Sequence, residues 1–427
     1  MLRWPLRLSN DNNVGVVVIE REAQIVWKDL AKNLVRPSRV HGGGERPLPR
    51  PDAQGRRRPR PIPVVFPVVL LAALLGGCST VGYYAQSVHG ELQILDASRP
   101  IRQVIKDPHC TPALAHKLAE ILAIRAYASQ DLGLPDNACY RNYADLGRPY
   151  VTWNVFATPK LSLAPKTWCF PIAGCVAYRG YFSEREAGAE AARLRRKGYD
   201  VYVGGIPAYS TLGYFNDPVL NTFMGYPDWA VAELIFHELG HQVAYVPGET
   251  VFNESMANTI EREGMKRWLA ADGTAAERRE YEVARRRRQD FDDLVLKYQK
   301  RLAALYASPL PAERKLADKK AVFKRLVAAY QRLKASQWHG YSGYDPWFLD
   351  DLNNAKIASI ALYTQLVPEF RALLAQQHGN LPAFYRRIRA IARMRPKARA
   401  AVMASLAKAA QPPTPAGVAL AAARHGG

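Results

Sequence analysis

Two histidines and a glutamate within one turn of helix carry the most specific chemistry in this chain: His237-Glu238-Leu239-Gly240-His241, inside the stretch Asp228–Gln242. Positions four apart on a helix share a face, with about 6 Å between Cβ atoms, so both imidazoles can reach one metal ion. Glu238 is rotated from them by roughly 100°, out of line as a ligand but placed to hold a water and take its proton. Neutral imidazoles leave a zinc ion Lewis-acidic and a fourth position open, which is why these residue types suit hydrolysis. The plain alternative is a chance match on a core helix. It would bury two imidazoles and a carboxylate among apolar partners, which is costly without hydrogen bonds.

A third ligand is available downstream in Gly248–Gly264, where Glu254, Asn258 and Glu261 fall on one helical face. Between His241 and Glu254 there is room for the first helix to end, for a turn at Pro247-Gly248 and for an antiparallel return. Glu254 is the expected third ligand, completing a His-His-Glu set. Asn258 is placed to hydrogen-bond a ligating side chain, and Glu261 is either such a support or a rival ligand. Glu263 reads as an ordinary solvated position. Nitrogen and carboxylate donors favour zinc, with cobalt and manganese left open. Glu233, one turn before His237, is a candidate either for a substrate ammonium or for supporting the histidines.

The elements that must position these groups follow from apolar periodicity and punctuation. Asp228, after Pro227, caps the first helix, whose stripe is Trp229, Ala232, Leu234, Ile235 and Leu239. Thr250 or Asn253 starts the second, with a bend near Gly264. Upstream, helices are expected over Tyr84–Leu95 and Pro112–Gln130, and strands over Val151–Ala157 and Val176–Phe182. A helix over Glu184–Lys197, capped by Ser183, leads to a strand from Tyr199. The stretch Ala208–Pro218 is the candidate edge strand beside a substrate backbone, with Tyr209, Gly213 and Tyr214 as contacts. Tyr209, Tyr214, Tyr245 and Tyr363 are the candidates to stabilise an oxyanion. Downstream, Thr274–Ser308 and Pro311–Gln337 form a charged helical hairpin (274–337), large enough to roof the site. It lacks a sustained heptad seam, which favours a monomer. Further helices are expected at Asp350–Tyr363, Val367–His378 and Leu381–Met394, then a loosely held tail. The expected fold is α+β, predominantly helical, with a small sheet against the metal-binding helix pair. One domain spans 78–400, followed by a flexible tail, 401–427.

The chain has 427 residues and a net charge of +21. Gly55-Arg-Arg-Arg-Pro-Arg60 followed by the apolar run from Val64 reads as a signal peptide (56–77), too short for a comfortable span. Leu75-Gly76-Gly77-Cys78 resembles a bacterial lipobox, in which the cysteine is lipidated and starts the mature chain. Ser79 in place of an aspartate points to the outer membrane, facing the periplasm. Residues 1–55 read as an extension from an early start codon. The basic excess lies in 278–334, and an exported chain seldom meets nucleic acid, so solvated helix faces near anionic envelope surfaces are expected rather than a nucleic-acid partner. Cys110, Cys139, Cys169 and Cys175 remain, an even number suited to disulfides in an exported protein. Three pairings exist; Cys169–Cys175 with Cys110–Cys139 is favoured.

Several of these stretches together resemble a known family, the bacterial lipoproteins described as predicted aminopeptidases. They are Trp168–Cys175, Tyr178–Phe182, Ala208–Gly213 with Asn216–Pro218, His237–His241, Phe252–Ser255 and Asn353–Ala355. The resemblance covers roughly Cys78 to Arg393. It implies a zinc-dependent peptidase with His237, His241 and Glu254 as ligands, Glu238 as base and a peptide as substrate.

Overall fold

The computed structural model describes residues 82–170, 174–208 and 210–410. The predicted signal segment, Cys78 and the last residues of the tail lie outside them. The order begins with helix α1 (82–97), strand β1 (Arg99–Pro100), α2 (Ile101–Ile105) and α3 (Pro112–Gln130). Thr111 caps α3 by accepting from the Leu114 amide, and Pro112 occupies the first turn, where its missing N–H costs nothing. There follow β2 (Asn142–Ala144), β3 (Thr152–Pro159), β4 (Trp168–Phe170), β5 (Gly174–Val176), β6 (Tyr178–Tyr181), α4 (Glu184–Arg196) and β7 (Tyr199–Ile206). As expected, Ser183 caps α4.

Strands β6, β3 and β7 make an antiparallel sheet with β3 in the middle. Period-two alternation sends Trp153, Val155 and Ala157 to one face, into an apolar cluster with Ala187, Ala191 and Leu194 of α4. The opposite face carries Thr152, Asn154, Phe156 and Thr158. A disulfide, Cys169–Cys175, closes the β4–β5 ribbon. The other expected pair does not form: Cys110 and Cys139 are free. Cys139 is buried, with its sulfur 3.3 Å from the Phe215 carbonyl oxygen and taking a contact from Gln242 Nε2 at 3.5 Å, while Cys110 sits half-buried just ahead of α3. Burial pushes the Cys139 thiol up to about 12, away from the reactive thiolate.

Among its described residues, the stretch Ala208–Pro218 forms no edge strand. Thr211-Leu212-Gly213-Tyr214 turns back on itself, with Leu212 and Gly213 at φ 57° and 77°. Gly213 suits that left-handed position, and Asn137 and Gln242 press so close that a Cβ there would meet them at 3.1–3.2 Å. Strand β8 (Val219–Leu220) then pairs with β2 and leads into α5 (Asp228–His241) and α6 (Thr250–Ala271). Pro227, rather than Asp228, takes the cap position. The Asp228 carboxylate lies inside the first turn and accepts from Lys117 of α3. Helix α6 runs on through Gly264, where Leu132 and Phe236 approach to within 3.0 Å of a would-be Cβ, so the glycine serves packing and ends nothing.

The hairpin is α7 (Ala275–Ala307) and α8 (Ala312–Ser336), and Thr274 with Glu277 forms a capping box at its start. Phe291, Val295, Tyr298 and Leu302 of α7 meet Val322, Leu326 and Tyr330 of α8 in a separate apolar core. After α9 (Asp345–Leu349) come α10 (Asn354–Thr364), capped by Asn353, α11 (Val367–Gln376), α12 (Leu381–Ala392) and α13 (Pro396–Ala410). The fold is α+β and predominantly helical. The three-stranded sheet reaches the α5–α6 pair by way of α10, which lies against β3 and β7 on one side and α6 on the other. The tail expected to be loose from Ala400 is helical to Ala410, because Met403 and Leu406 are buried and Arg399 donates to Glu249 at 2.7 Å.

Candidate metal centre

Helices α5 and α6 pack side by side, with Gly240 facing Ala257 and Ile260; a Cβ there would stand 3.4 Å from the Ala257 Cα, an ordinary contact. The turn between them is held by Asn253, whose Oδ1 accepts from Val246 N and whose Nδ2 donates to Val246 O, both at 2.9 Å. That two-point clasp fixes the start of α6 and therefore the place of the next residue, Glu254. The result is a compact group. His237 Nε2 and His241 Nε2 are 3.1 Å apart, and Glu254 Oε2 lies 3.5 and 3.6 Å from them. A tetrahedral ion with ligand bonds of about 2.0–2.1 Å needs donor atoms about 3.3 Å apart, so the trio fits one ion. Asn258 and Glu261 follow Glu254 by one and two turns; Asn258 is half-buried.

Burial sharpens the electrostatics. His237, Glu238, His241 and Glu254 are all at most 2% exposed. Among the described residues, neither oxygen of Glu238 nor His241 Nδ1 has a hydrogen-bond partner. Burial opposes a charge on His237, but hydrogen bonds and charges from Glu254 and Glu261 outweigh it and hold the imidazole up at about 10. His241 goes the other way: burial, and then the charge of His237, hold it well below the ordinary histidine value. Burial also lifts Glu238 well above the usual carboxylate range. The centre is therefore an acidic, water-poor place that welcomes a cation.

Glu261 is not among the clustered donor atoms. Its Oε2 accepts from His237 Nδ1 at 2.9 Å, which fixes the tautomer and turns Nε2 toward Glu254. Glu233 is engaged as well, in a two-point pair with Arg288 at 2.8 and 2.9 Å. Arg288 Nη1 also stands 3.9 Å from Glu261 Oε1. Burial opposes the Arg288 charge, and the two carboxylates more than restore it. The run Arg285–Arg288 was expected to be solvated, so Arg288 corrects that reading. The signal was spacing: Tyr281, Arg288, Val295 and Leu302 recur every seven residues along one stripe of α7, and only the arginine is not apolar there.

Tyr214 is 39% exposed at the turn after Gly213, and Tyr245 lies in the turn that follows α5. Tyr209 and the side chain of Tyr363 lie outside the described residues. Two neighbours of the centre escaped the sequence reading. Gln242, directly after His241, accepts from Asn137 at 2.7 Å, and buried Asp217 accepts from the Thr211 amide at 3.0 Å.

Fold and site together define an α+β protein whose central helix pair buries a His-His-Glu group able to hold a metal ion. The chain belongs to the family described as "Putative aminopeptidase", whose model matches residues 82–403. No curated protein and no solved structure matches it.

Proposed function

We propose that the chain is a zinc-dependent peptidase of the cell envelope, acting as an aminopeptidase, with His237, His241 and Glu254 holding the ion. The observation that carries this reading is the spacing of the three donor atoms beside a buried Glu238 with two unpartnered oxygens. Zinc bound there would polarise a scissile carbonyl and make a water more acidic. Glu238 would take the proton of the attacking water and return it to the leaving amine, a role suited by a carboxyl whose proton affinity burial has raised. Glu261 keeps His237 oriented throughout. An endopeptidase is the second reading. It is favoured by the engagement of Glu233, the carboxylate assigned above to a substrate ammonium, with Arg288.

Glu238→Gln should keep zinc at one equivalent by metal analysis while peptide hydrolysis disappears. Activity that survives the change removes Glu238 from the mechanism, whereas an unaltered protein that holds zinc and hydrolyses no peptide leaves a binding lipoprotein with a structural ion as the better reading. Rates on a free-amine peptide and its N-acetylated twin separate the two peptidase readings, because equal rates rule out amine recognition. The envelope location rests on the lipobox-like sequence at Cys78: a Cys78→Ala form should leave the membrane fraction.

A further inference from the structure

A groove of about 650 Å³ lies between α6, α7 and α11, on the far side of His237 from the clustered donor atoms. Glu261, which lines it, accepts from His237 Nδ1, whereas Nε2 of the same ring faces His241 and Glu254. The groove is large enough for a small organic ligand. Part of its wall is apolar, built by Leu269 and Ala270 of α6 with Leu374 and Ala375 of α11.

The rest of the lining is charged, with six cations against four carboxylates, an excess of two positive charges. The carboxylates are already engaged. Glu261 holds His237, Glu233 holds Arg288 at two points, and Glu282 pairs with Arg285 at 3.0 Å. Glu263 takes Arg267, which is not part of the lining, at 2.8 Å. The cations are less well matched. Among the described residues, Arg262 of α6 and Arg371 of α11 make no ion pair and no side-chain hydrogen bond. Arg278 spends Nη1 on the backbone carbonyls of Leu269 and Gly273, which leaves its charge without a counter-ion. Arg262 and Arg371 also border an adjoining hollow of about 610 Å³, but buried Asp292 stands there, so the groove is the more cationic of the two.

We infer that this groove binds a phosphate monoester carried on a small apolar body, with Arg262 and Arg371 as the groups that hold the phosphate. A phosphate monoester carries a charge of about −1.5 to −2 near pH 7, which matches the excess in the groove, whereas a lone carboxylate brings half as much. Its three terminal oxygens can accept from guanidinium groups that arrive on separate helices, each a planar fork suited to such an anion. Leu269 and Leu374 give the organic body an apolar wall. A soluble ester and a lipid headgroup present the same chemistry. The inference is independent of the peptidase reading, since neither arginine belongs to the metal centre.

The test uses the full chain, zinc-loaded, with phenyl phosphate as the probe and benzoate, the same ring with a single charge, as the comparison. In calorimetry at fixed ionic strength, phenyl phosphate should bind about tenfold more tightly than benzoate. Arg262→Gln should weaken phenyl phosphate by about tenfold and the more exposed Arg371→Gln by about fivefold. Arg286→Gln, at an α7 position 75% exposed and outside the groove, should leave the affinity unchanged. Melting temperatures should hold in all three variants, which shows that a lost affinity is not a lost fold. The inference is overturned by an absence of saturable binding, by equal affinities for the two probes, or by a loss at Arg286 as large as that at Arg262. A competition in the Cys78→Ala form then identifies the source of the phosphate. Phosphatidic acid vesicles that displace phenyl phosphate, where phosphatidylcholine vesicles do not, assign it to a lipid headgroup. Vesicles that leave the probe bound assign it to a soluble ester, and both results uphold the site.

Discussion

At the scale of single residues, the metal centre separates groups that hold from groups that orient. Glu254 places an oxygen within 3.6 Å of Nε2 of both His237 and His241, whereas Glu261 meets His237 on the far side of its ring. Glu254→Ala should therefore abolish stoichiometric zinc, and Glu261→Ala should weaken it only by about tenfold, the usual size of an outer-shell effect. Metal content after dialysis against graded chelator reads both, and the reverse ranking would exchange their roles. That His237 and His241 stand side by side could be read from spacing, because a helix imposes four-residue contacts wherever it forms, and the grouping of Glu254 with them needed an antiparallel return as well. Arg288 could not be read the same way, since a run of four arginines looks alike until the stripe that turns one of them toward Glu233 is known. Cys110 and Cys139 were misread for a related reason: an even count says nothing about distance, and each thiol has other surroundings.

At the scale of elements, long periodic helices were legible and local irregularity was not. Helix α3 occupies Pro112–Gln130, the range expected from the sequence, and both arms of the hairpin lie where their apolar positions put them. The 207–218 stretch defeated the strand reading because its alternation of side chains comes from turns. Leu212 takes a left-handed conformation that no strand pattern announces. The hairpin also meets the helix that carries the two histidines. Through Arg288 it neutralises Glu233, which is 3% exposed on α5. Arg288→Met should cost roughly 3 kcal/mol in denaturant unfolding, because it leaves a buried carboxylate unpaired. Most of that loss should return in Arg288→Met with Glu233→Met, and a double variant no better than the single would place the stabilisation elsewhere.

At the scale of the whole molecule, the buried acid Asp217 links stability to pH. Burial, partly offset by hydrogen bonds from Thr211, pushes its carboxyl up to about 7 from an ordinary value of 3.8. The folded state then binds this proton more tightly than the unfolded chain does. Its contribution is complete below the ordinary carboxylate range and is lost as pH rises through about 7. The melting temperature should fall from the ordinary value of 3.8 up to about pH 7, and Asp217→Asn, which keeps an oxygen for the Thr211 amide, should flatten that slope. An unchanged slope would assign the effect to another group.

The support of the ligand helices also has an order in time. Helices α5 and α6 are complete by Ala271, yet the Ser255 hydroxyl waits for the Leu366 amide and Glu249 waits for Arg399. A ribosome makes the chain from its N-terminus, so the centre is born early and braced last. A nascent or truncated chain ending before Leu366 would carry all three ligands without their final supports, and so without a settled grip on a metal. The last braces of the two helices therefore come from the final third of the chain.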